Sequence, residues 1–386
     1  MEFEIERQSV VDAGKRLVES GLISRTWGNV SCRINDELFA ITPSGRDYGN
    51  LTPSDIVLVN MKDLRHVGDI EPSSETRIHA AVYRIRKEIN FVIHTHQLNA
   101  SVISVISDLK ENPKAKDSER MNLTFADYGL PGSKMLCKSI TTVLEKNLGK
   151  AIIMRNHGAL CMGEDAEEAF SVALDLENVC HNWILNKRGK LDIEPTIRAE
   201  LNMHSSERTE NGCQLLEAGT ESLGCQLLEA GTESPALLSE RQIHEDIYKS
   251  RRDINFIEYA KSPEILRLAA KGGAWRPILD DMAQIQGTSL KTAEWNPKDA
   301  PKSSRAISAA LKGRHGLLIK DRGALCCGAT KKDAEAVHLI MEKACKALNI
   351  SLLTGSVRSI NLVECHLMRV NYLKNYSRKA AKTKVE

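Results

Sequence analysis

Three things are missing from this 386-residue sequence. No apolar run approaches the roughly 18 residues that a membrane span requires. No charge of one sign dominates: 53 lysines and arginines stand against 51 acidic residues, a net charge of +2. A protein that grips nucleic acid through its phosphates is usually far more lopsided. The ten cysteines include no CxxC pair; such usage suits a reducing compartment, where buried cysteine behaves as a small hydrophobe. The leading MEFEIERQSV mixes acids with apolar residues and lacks the basic-then-apolar order of a secretion signal. These absences predict a soluble cytoplasmic protein with no nucleic-acid or membrane partner. What is present is 42% hydrophobic residue content, enough for two or three domains at roughly 150 residues each.

The sequence repeats itself. SSETRIHAAVYRIRKEINFVIHTHQ, from Ser73, matches LSERQIHEDIYKSRRDINFIEYAKS, from Leu238. Glu75, His79 and Tyr83 meet Glu240, His244 and Tyr248, each 165 residues later, and Ala159 in RNHGALCMG meets Ala324 in KDRGALCCG at the same offset. One register held this far indicates duplication and fusion of a domain. Extended upstream of Ser73, the register falls on the first copy's own C-terminal helix, so the second copy reads as truncated at its N-terminus. The expected division is 1–205 and 206–386. Residues 206–235 read as a linker, carrying a short direct repeat of GCQLLEAGTES from Gly212 and again from Gly224.

Within the first copy, helical and extended patterns alternate. Val10, Val11, Leu17 and Val18 fall at helical spacing. Short β-rich runs follow at Asn29–Ile34, Leu38–Thr42 and Ile56–Asn60. A helix is predicted after Pro72-Ser73-Ser74, through Ile85, burying Ile78, Val82 and Ile85. Phe91-Val92-Ile93 and Ala151–Met154 read as strands, and Ala166–Leu185 as a long amphipathic helix. The fold class is α/β, helices layered on a mostly β core.

The chemistry gathers where strands end. His94-Thr95-His96 follows Phe91–Ile93, and residues two apart on a strand share a face. His157 follows the run Ala151–Met154, beside a glycine that permits a tight turn. Three neutral imidazoles on Zn²⁺ leave its double charge uncancelled and a position open, the arrangement of a catalytic rather than a structural metal. An HxH pair arises easily by chance, but the second copy sharpens the reading: His94 becomes Tyr259, His96 becomes Lys261 and His157 becomes Arg322. Had packing required these histidines, the related copy would keep at least one. All three went together.

Glu75 opens the predicted helix, where a carboxylate also suits the helix dipole; Glu240 survives in the copy without histidines, as a capping acid would. Ser73 and Ser74 offer hydroxyls and backbone N–H groups at the same helix start. Gly28-Asn29 and Thr42-Pro43-Ser44-Gly45 are two further loops of small hydrogen-bonding residues. Together the three loops suggest a phosphate pocket beside a Lewis acid.

Gly28-Asn29-Val30-Ser31, Thr42-Pro43-Ser44-Gly45, Pro72-Ser73-Ser74-Glu75, His94-Thr95-His96 and Asn156-His157-Gly158 resemble, in kind and order, the motifs of class II aldolases of the fuculose-phosphate aldolase and adducin superfamily. The likeness covers about residues 5–190, and the second copy resembles a degenerate member without the first two loops. It implies a three-layer domain with a central, mostly antiparallel sheet flanked by helices. It implies Zn²⁺, or another divalent transition metal, on His94, His96 and His157. It implies phosphate binding by Gly28, Asn29, Thr42, Gly45, Ser73 and Ser74, and proton transfer by Glu75. Asp127, in Phe125–Gly129, resembles an acid/base segment of the family's 4-epimerases and is a further catalytic candidate. The expected activity is zinc-dependent cleavage of a ketose 1-phosphate to dihydroxyacetone phosphate and an aldehyde. The alternatives are pentulose-phosphate 4-epimerisation and a non-catalytic, adducin-like assembly role. Domains of this family assemble around fourfold symmetry with sites between neighbours, which implies a pseudo-fourfold ring built from two chains.

Overall fold

The computed structural model describes residues 2–23, 27–107, 123–188, 203–210, 212–216, 234–355 and 357–382. The chain divides into two compact units, 1–191 with 356–358, and 192–355 with 359–386. Among the described residues no helix is long and apolar enough to cross a membrane.

In the first unit, α1 (Glu4–Glu19) leads into the hairpin β1 (Asn29–Arg33) and β2 (Leu38–Ile41), then β3 (Val57–Asn60). There follow α2 (Thr76–Ile85), β4 (Phe91–Thr95), α3 (Leu98–Ser104), β5 (Thr124–Ala126), α4 (Lys134–Lys146), β6 (Ala151–Met154), β7 (Gly158–Gly163) and α5 (Ala166–Arg188). The sheet order is β3-β2-β1-β4-β7-β6-β5, antiparallel throughout except for β5 beside β6. Ile78 and Val82 of α2, with Ile140 and Leu144 of α4, pack on Phe39, Val92, Ile152 and Leu160 of one sheet face. Each fully buried aliphatic side chain of this kind contributes roughly 1.5–3 kcal/mol. The helices α1, α3 and α5 lie against the strands from the other side. The expected three layers are therefore present. Ile85 is only half-buried, and α2 starts one residue late, so Glu75 is its N-cap rather than part of its first turn.

The second unit runs β8 (Ser205–Thr209), β9 (Gly212–Leu216), α6 (Pro235–Ser250), β10 (Phe256–Ala260), α7 (Pro263–Lys271), β11 (Ala274–Trp275) and α8 (Asp280–Gln286). It continues with β12 (Leu290–Ala293), α9 (Ala300–Leu311), β13 (Gly316–Ile319), β14 (Gly323–Gly328), α10 (Lys331–Thr354) and α11 (Leu362–Lys382). Its order is β11-β12-β13-β14-β10-β8-β9, again with one parallel pair, β12 beside β13. Ile243 and Ile247 of α6 and Ile307 and Leu311 of α9 share a core with Ile257, Leu317 and Leu325.

Two sequence expectations change here. The stretch 206–235 is not simply a linker: its described part carries β8 and β9, and β8 pairs with β10 as β1 pairs with β4. Ser206 lies opposite Ile257 and Ser31 opposite Val92, so the hairpin survives in the second copy at an offset of 175 rather than 165. The truncation is correspondingly smaller. The first GCQLL of the direct repeat is β9, whereas 217–233, with the second copy of that repeat, lie outside the described residues.

Candidate active site

His94 is the fourth residue of β4, paired with Asn29 of β1 on one side and Leu160 of β7 on the other. Central placement in a sheet fixes its backbone, and its Nδ1–H donates to the Ala159 carbonyl at 2.9 Å. That bond settles the tautomer and leaves Nε2 as a bare lone pair. The Nε2 atoms of His96 and His157 lie 3.0 and 3.1 Å from it. His157 reaches the group from the β6–β7 turn, where Asn156 adopts φ +59° and Gly158 passes so close to β4 that a Cβ there would stand 2.2 Å from the Thr95 carbonyl oxygen.

All three histidines are buried, and their ligand atoms lie within 4.8 Å of one another. Zinc–nitrogen bonds of about 2.0–2.1 Å in a tetrahedron place ligand nitrogens about 3.3 Å apart, close to the separations found here. Burial pushes the His94 ring down to about 3, so it is neutral and free to ligate. The residues fit a tris-histidine divalent ion.

Glu75 closes the group. Its Oε2 and Oε1 lie 3.1 Å from Nε2 of His94 and of His157, respectively. Burial works against its charge, but its contacts with His157 and the Asn29 amide lower the carboxyl pKa. The Asn29 Nδ2–H donates to Oε2 at 3.0 Å.

The three small-residue loops meet. Ser73 N donates to the Thr42 carbonyl at 3.1 Å and Ser44 N to the Glu71 carbonyl at 2.9 Å, and Pro43 bridges Pro72. The buried Tyr48 hydroxyl donates to the Gly28 carbonyl at 2.6 Å and lies 3.3 Å from Thr42 Oγ1. Gly28 (φ +131°) and Gly45 (φ +65°) take conformations that a side chain resists. Ser74 is exposed, and the Ser73 hydroxyl accepts from Glu75 N at 3.3 Å. Asp127 stands apart: it is exposed at the end of β5, and its charge is felt by Arg155.

Behind Glu75 runs a polar chain that the sequence reading passed over. Tyr83 OH lies 2.6 Å from Ser31 Oγ, and Ser31 Oγ 2.6 Å from His79 Nδ1; His79 Nε2 reaches Asn29 Oδ1. The available signal was persistence of His79 and Tyr83 as His244 and Tyr248 in a copy that lost the ligands.

At the corresponding place the second unit is filled. α6 begins at Pro235, so the residues matching the Ser73–Glu75 loop are wound into helix. Trp295 Nε1 donates to Ser239 Oγ at 3.0 Å, and Arg322 stacks 4.5 Å above the Trp295 ring. Tyr259 OH donates to the Arg322 carbonyl at 2.7 Å. Glu240 accepts from His204, whose Nδ1 lies 2.9 Å from Oε2.

This chain is similar in sequence to known proteins. A 5-deoxy-D-ribulose 1-phosphate aldolase of Bacillus thuringiensis serovar kurstaki is 31% identical over 46% of this chain and 83% of its own length. A methylthioribulose-1-phosphate dehydratase of Yersinia enterocolitica is 30% identical over 39% of this chain and 78% of its own. The solved structure of an L-fuculose 1-phosphate aldolase is 28% identical, covering 50% of this chain and 91% of its own, with a TM-score of 0.44. The family described as the class II aldolase and adducin N-terminal domain matches residues 8–184 and again 202–348. The chain belongs to that family and carries its domain twice in tandem.

Proposed function

We propose that the first unit is a zinc-dependent aldolase that cleaves a ketose 1-phosphate to dihydroxyacetone phosphate and an aldehyde. The observation that carries this reading is the convergence of three imidazole Nε2 atoms against the Glu75 carboxylate, beside three interlocked loops. His94, His96 and His157 would hold a divalent ion, which would supply positive charge to the negative charge developing on the substrate. The substrate phosphate is bound by Gly28, Asn29, Thr42, Gly45, Ser73 and Ser74, small residues gathered where the three loops meet at the start of α2. Glu75 moves the proton: it takes up the one released from the substrate hydroxyl as the carbon–carbon bond breaks and passes it to the enediolate carbon, and in the synthetic direction it removes the proton from that carbon. Burial of the carboxylate keeps bulk water from competing for that proton. The Asn29 side chain is engaged on Glu75 and His79.

Among the described residues the second unit shows no equivalent group of three ligands, and we propose that two chains form a pseudo-fourfold ring with half the metal sites of a fourfold ring of complete domains. Protein mass in solution and bound metal per chain check this together.

The deciding experiment incubates the full chain with a panel of ketose 1-phosphates, before and after chelation, and identifies products. Dihydroxyacetone phosphate with an aldehyde, lost on chelation and restored by metal, is the expected result. Loss of water from the sugar would favour the dehydratase chemistry named for one relative. A rearranged ketose without free aldehyde would favour epimerisation. Activity that resists chelation would remove the mechanism.

A further inference from the structure

We propose that His79 is a positioning residue for this site: by donating from Nε2 to Asn29 Oδ1, it turns the Asn29 amide so that its N–H meets Glu75. The inference rests on the proton-transfer role given to Glu75 above.

The direction of each bond follows from counting hydrogens. A carboxylate only accepts, so the Asn29 atom facing Glu75 is the N–H side, and Oδ1 faces His79. His79 Nε2 must then carry the proton, and Nδ1 must accept from the Ser31 hydroxyl. Ser31 has one hydrogen, so Tyr83 donates to Ser31. The chain therefore reads Tyr83 to Ser31 to His79, and His79 to Asn29 to Glu75. Burial keeps His79 neutral, with its ring pushed down to about 4, as this alternation requires. The other tautomer would set two acceptors face to face at Asn29. Rotating the amide to relieve that would turn its oxygen onto the carboxylate.

The second unit separates scaffold from function. Its Tyr248, Ser206 and His244 repeat the first three members, at 2.7 Å and 2.8 Å. Arg208 holds the Ile254, Tyr248 and Arg251 carbonyls as Arg33 holds those of Ile89, Tyr83 and Arg86. The fourth member is gone: His204 stands where Asn29 does and binds Glu240 through its own ring. His244 Nε2 is left buried, with no hydrogen-bond partner among the described residues. A buried ring nitrogen without a partner costs stability, and the second unit keeps the ring without that bond. In the first unit the same atom has a target, and that target touches Glu75.

The test compares His79→Leu, which removes donor and acceptor, with His79→Gln, which restores both, in the full chain. Bound metal per chain and KM should stay near wild type in His79→Leu while kcat falls about 10- to 100-fold, the range typical of outer-shell partners. His79→Gln should recover most of that loss. The same replacement in the second unit, His244→Leu, should leave kcat unchanged. Ring ¹⁵N signals of histidine-labelled wild type, assigned by the signal missing in His79→Gln, should show the Nε2–H tautomer at neutral pH. An Nδ1–H tautomer, an unchanged kcat in His79→Leu, or an equal loss in His244→Leu would overturn the proposal. If wild-type protein turns over no ketose 1-phosphate, the aldolase reading fails by itself, and the tautomer still judges the aim of His79.

Discussion

Tyr259 holds in the second sheet the register position that His94 holds in the first: Tyr259 lies opposite Leu325 as His94 lies opposite Leu160, each pair 165 residues apart. The strands have kept their pairing while the histidine became a phenol whose hydroxyl is spent on the Arg322 carbonyl. Among the described residues, no group of three His, Cys, Asp or Glu side chains drawn from the second unit alone is placed to share an ion. Metal analysis of purified protein should therefore give one divalent ion per chain. His157→Ala removes one Nε2 and should drop bound metal below a tenth of that value, with activity following it. Two ions per chain would sink this account of the duplication.

Glu75→Gln keeps the size of the side chain and its contact with Asn29 but removes the group that carries the proton. The variant should retain its metal and bind substrate, while kcat falls about 10²- to 10⁴-fold, the usual weight of a positioned acid or base. Glu240→Gln in the second unit, whose carboxylate is held by His204, should leave turnover alone. Matching losses in the two variants would show that the glutamates serve only a shared structural role.

Much of this architecture was legible because its signals are local. β4 and β6 are short apolar runs; His94 lies in the first, His96 directly after it, and His157 three residues after the second. The repeat in turn set the three histidines apart, since none of them survives in the second copy. The second hairpin was not legible because ten residues separate the two offsets: Ser31 precedes His79 by 48 positions, Ser206 precedes His244 by 38. An ungapped register loses β8 at that step. His79 was hidden for another reason: on a helix face with Ile78 and Val82 it looks like a core residue, and its bonds run to a strand 48 residues away. Only tertiary contact reveals them.

Gly158 marks how tightly the triad is built. A Cβ there would meet the Thr95 carbonyl oxygen at 2.2 Å and His94 Cε1 at 3.1 Å. The first contact is with backbone in mid-sheet, so the strands must part and His94 must turn. Gly158→Ala should cost about 1–3 kcal/mol, as overpacking usually does, and should weaken metal binding as well. Gly323 is its counterpart, 2.4 Å from the Ala260 carbonyl oxygen by the same construction. Gly323→Ala should lower thermal stability comparably yet leave bound metal unchanged. Loss of metal in both variants would mean that the ion is not confined to the first unit.

Buried neutral histidines set an acid limit on stability. In the second unit, burial pushes His244 and His315 each down to about 4, against roughly 6.5 when unfolded. Glu240 favours the charged form of His244 while His204 and Arg241 oppose it, and burial outweighs them all. Between those two values the unfolded chain binds protons that the folded chain refuses. Stability contributed by these rings is complete above about pH 6.5 and is lost as pH falls toward 4. Each fully refused proton steepens the dependence by up to about 1.4 kcal/mol per pH unit. His244→Gln keeps an acceptor for the Ser206 hydroxyl but cannot titrate. Its denaturant midpoint should thus fall less than that of wild type between pH 6 and 5, before most carboxylates begin to protonate. Parallel curves for the two proteins would show that His244 is charged in the folded state, contrary to its burial.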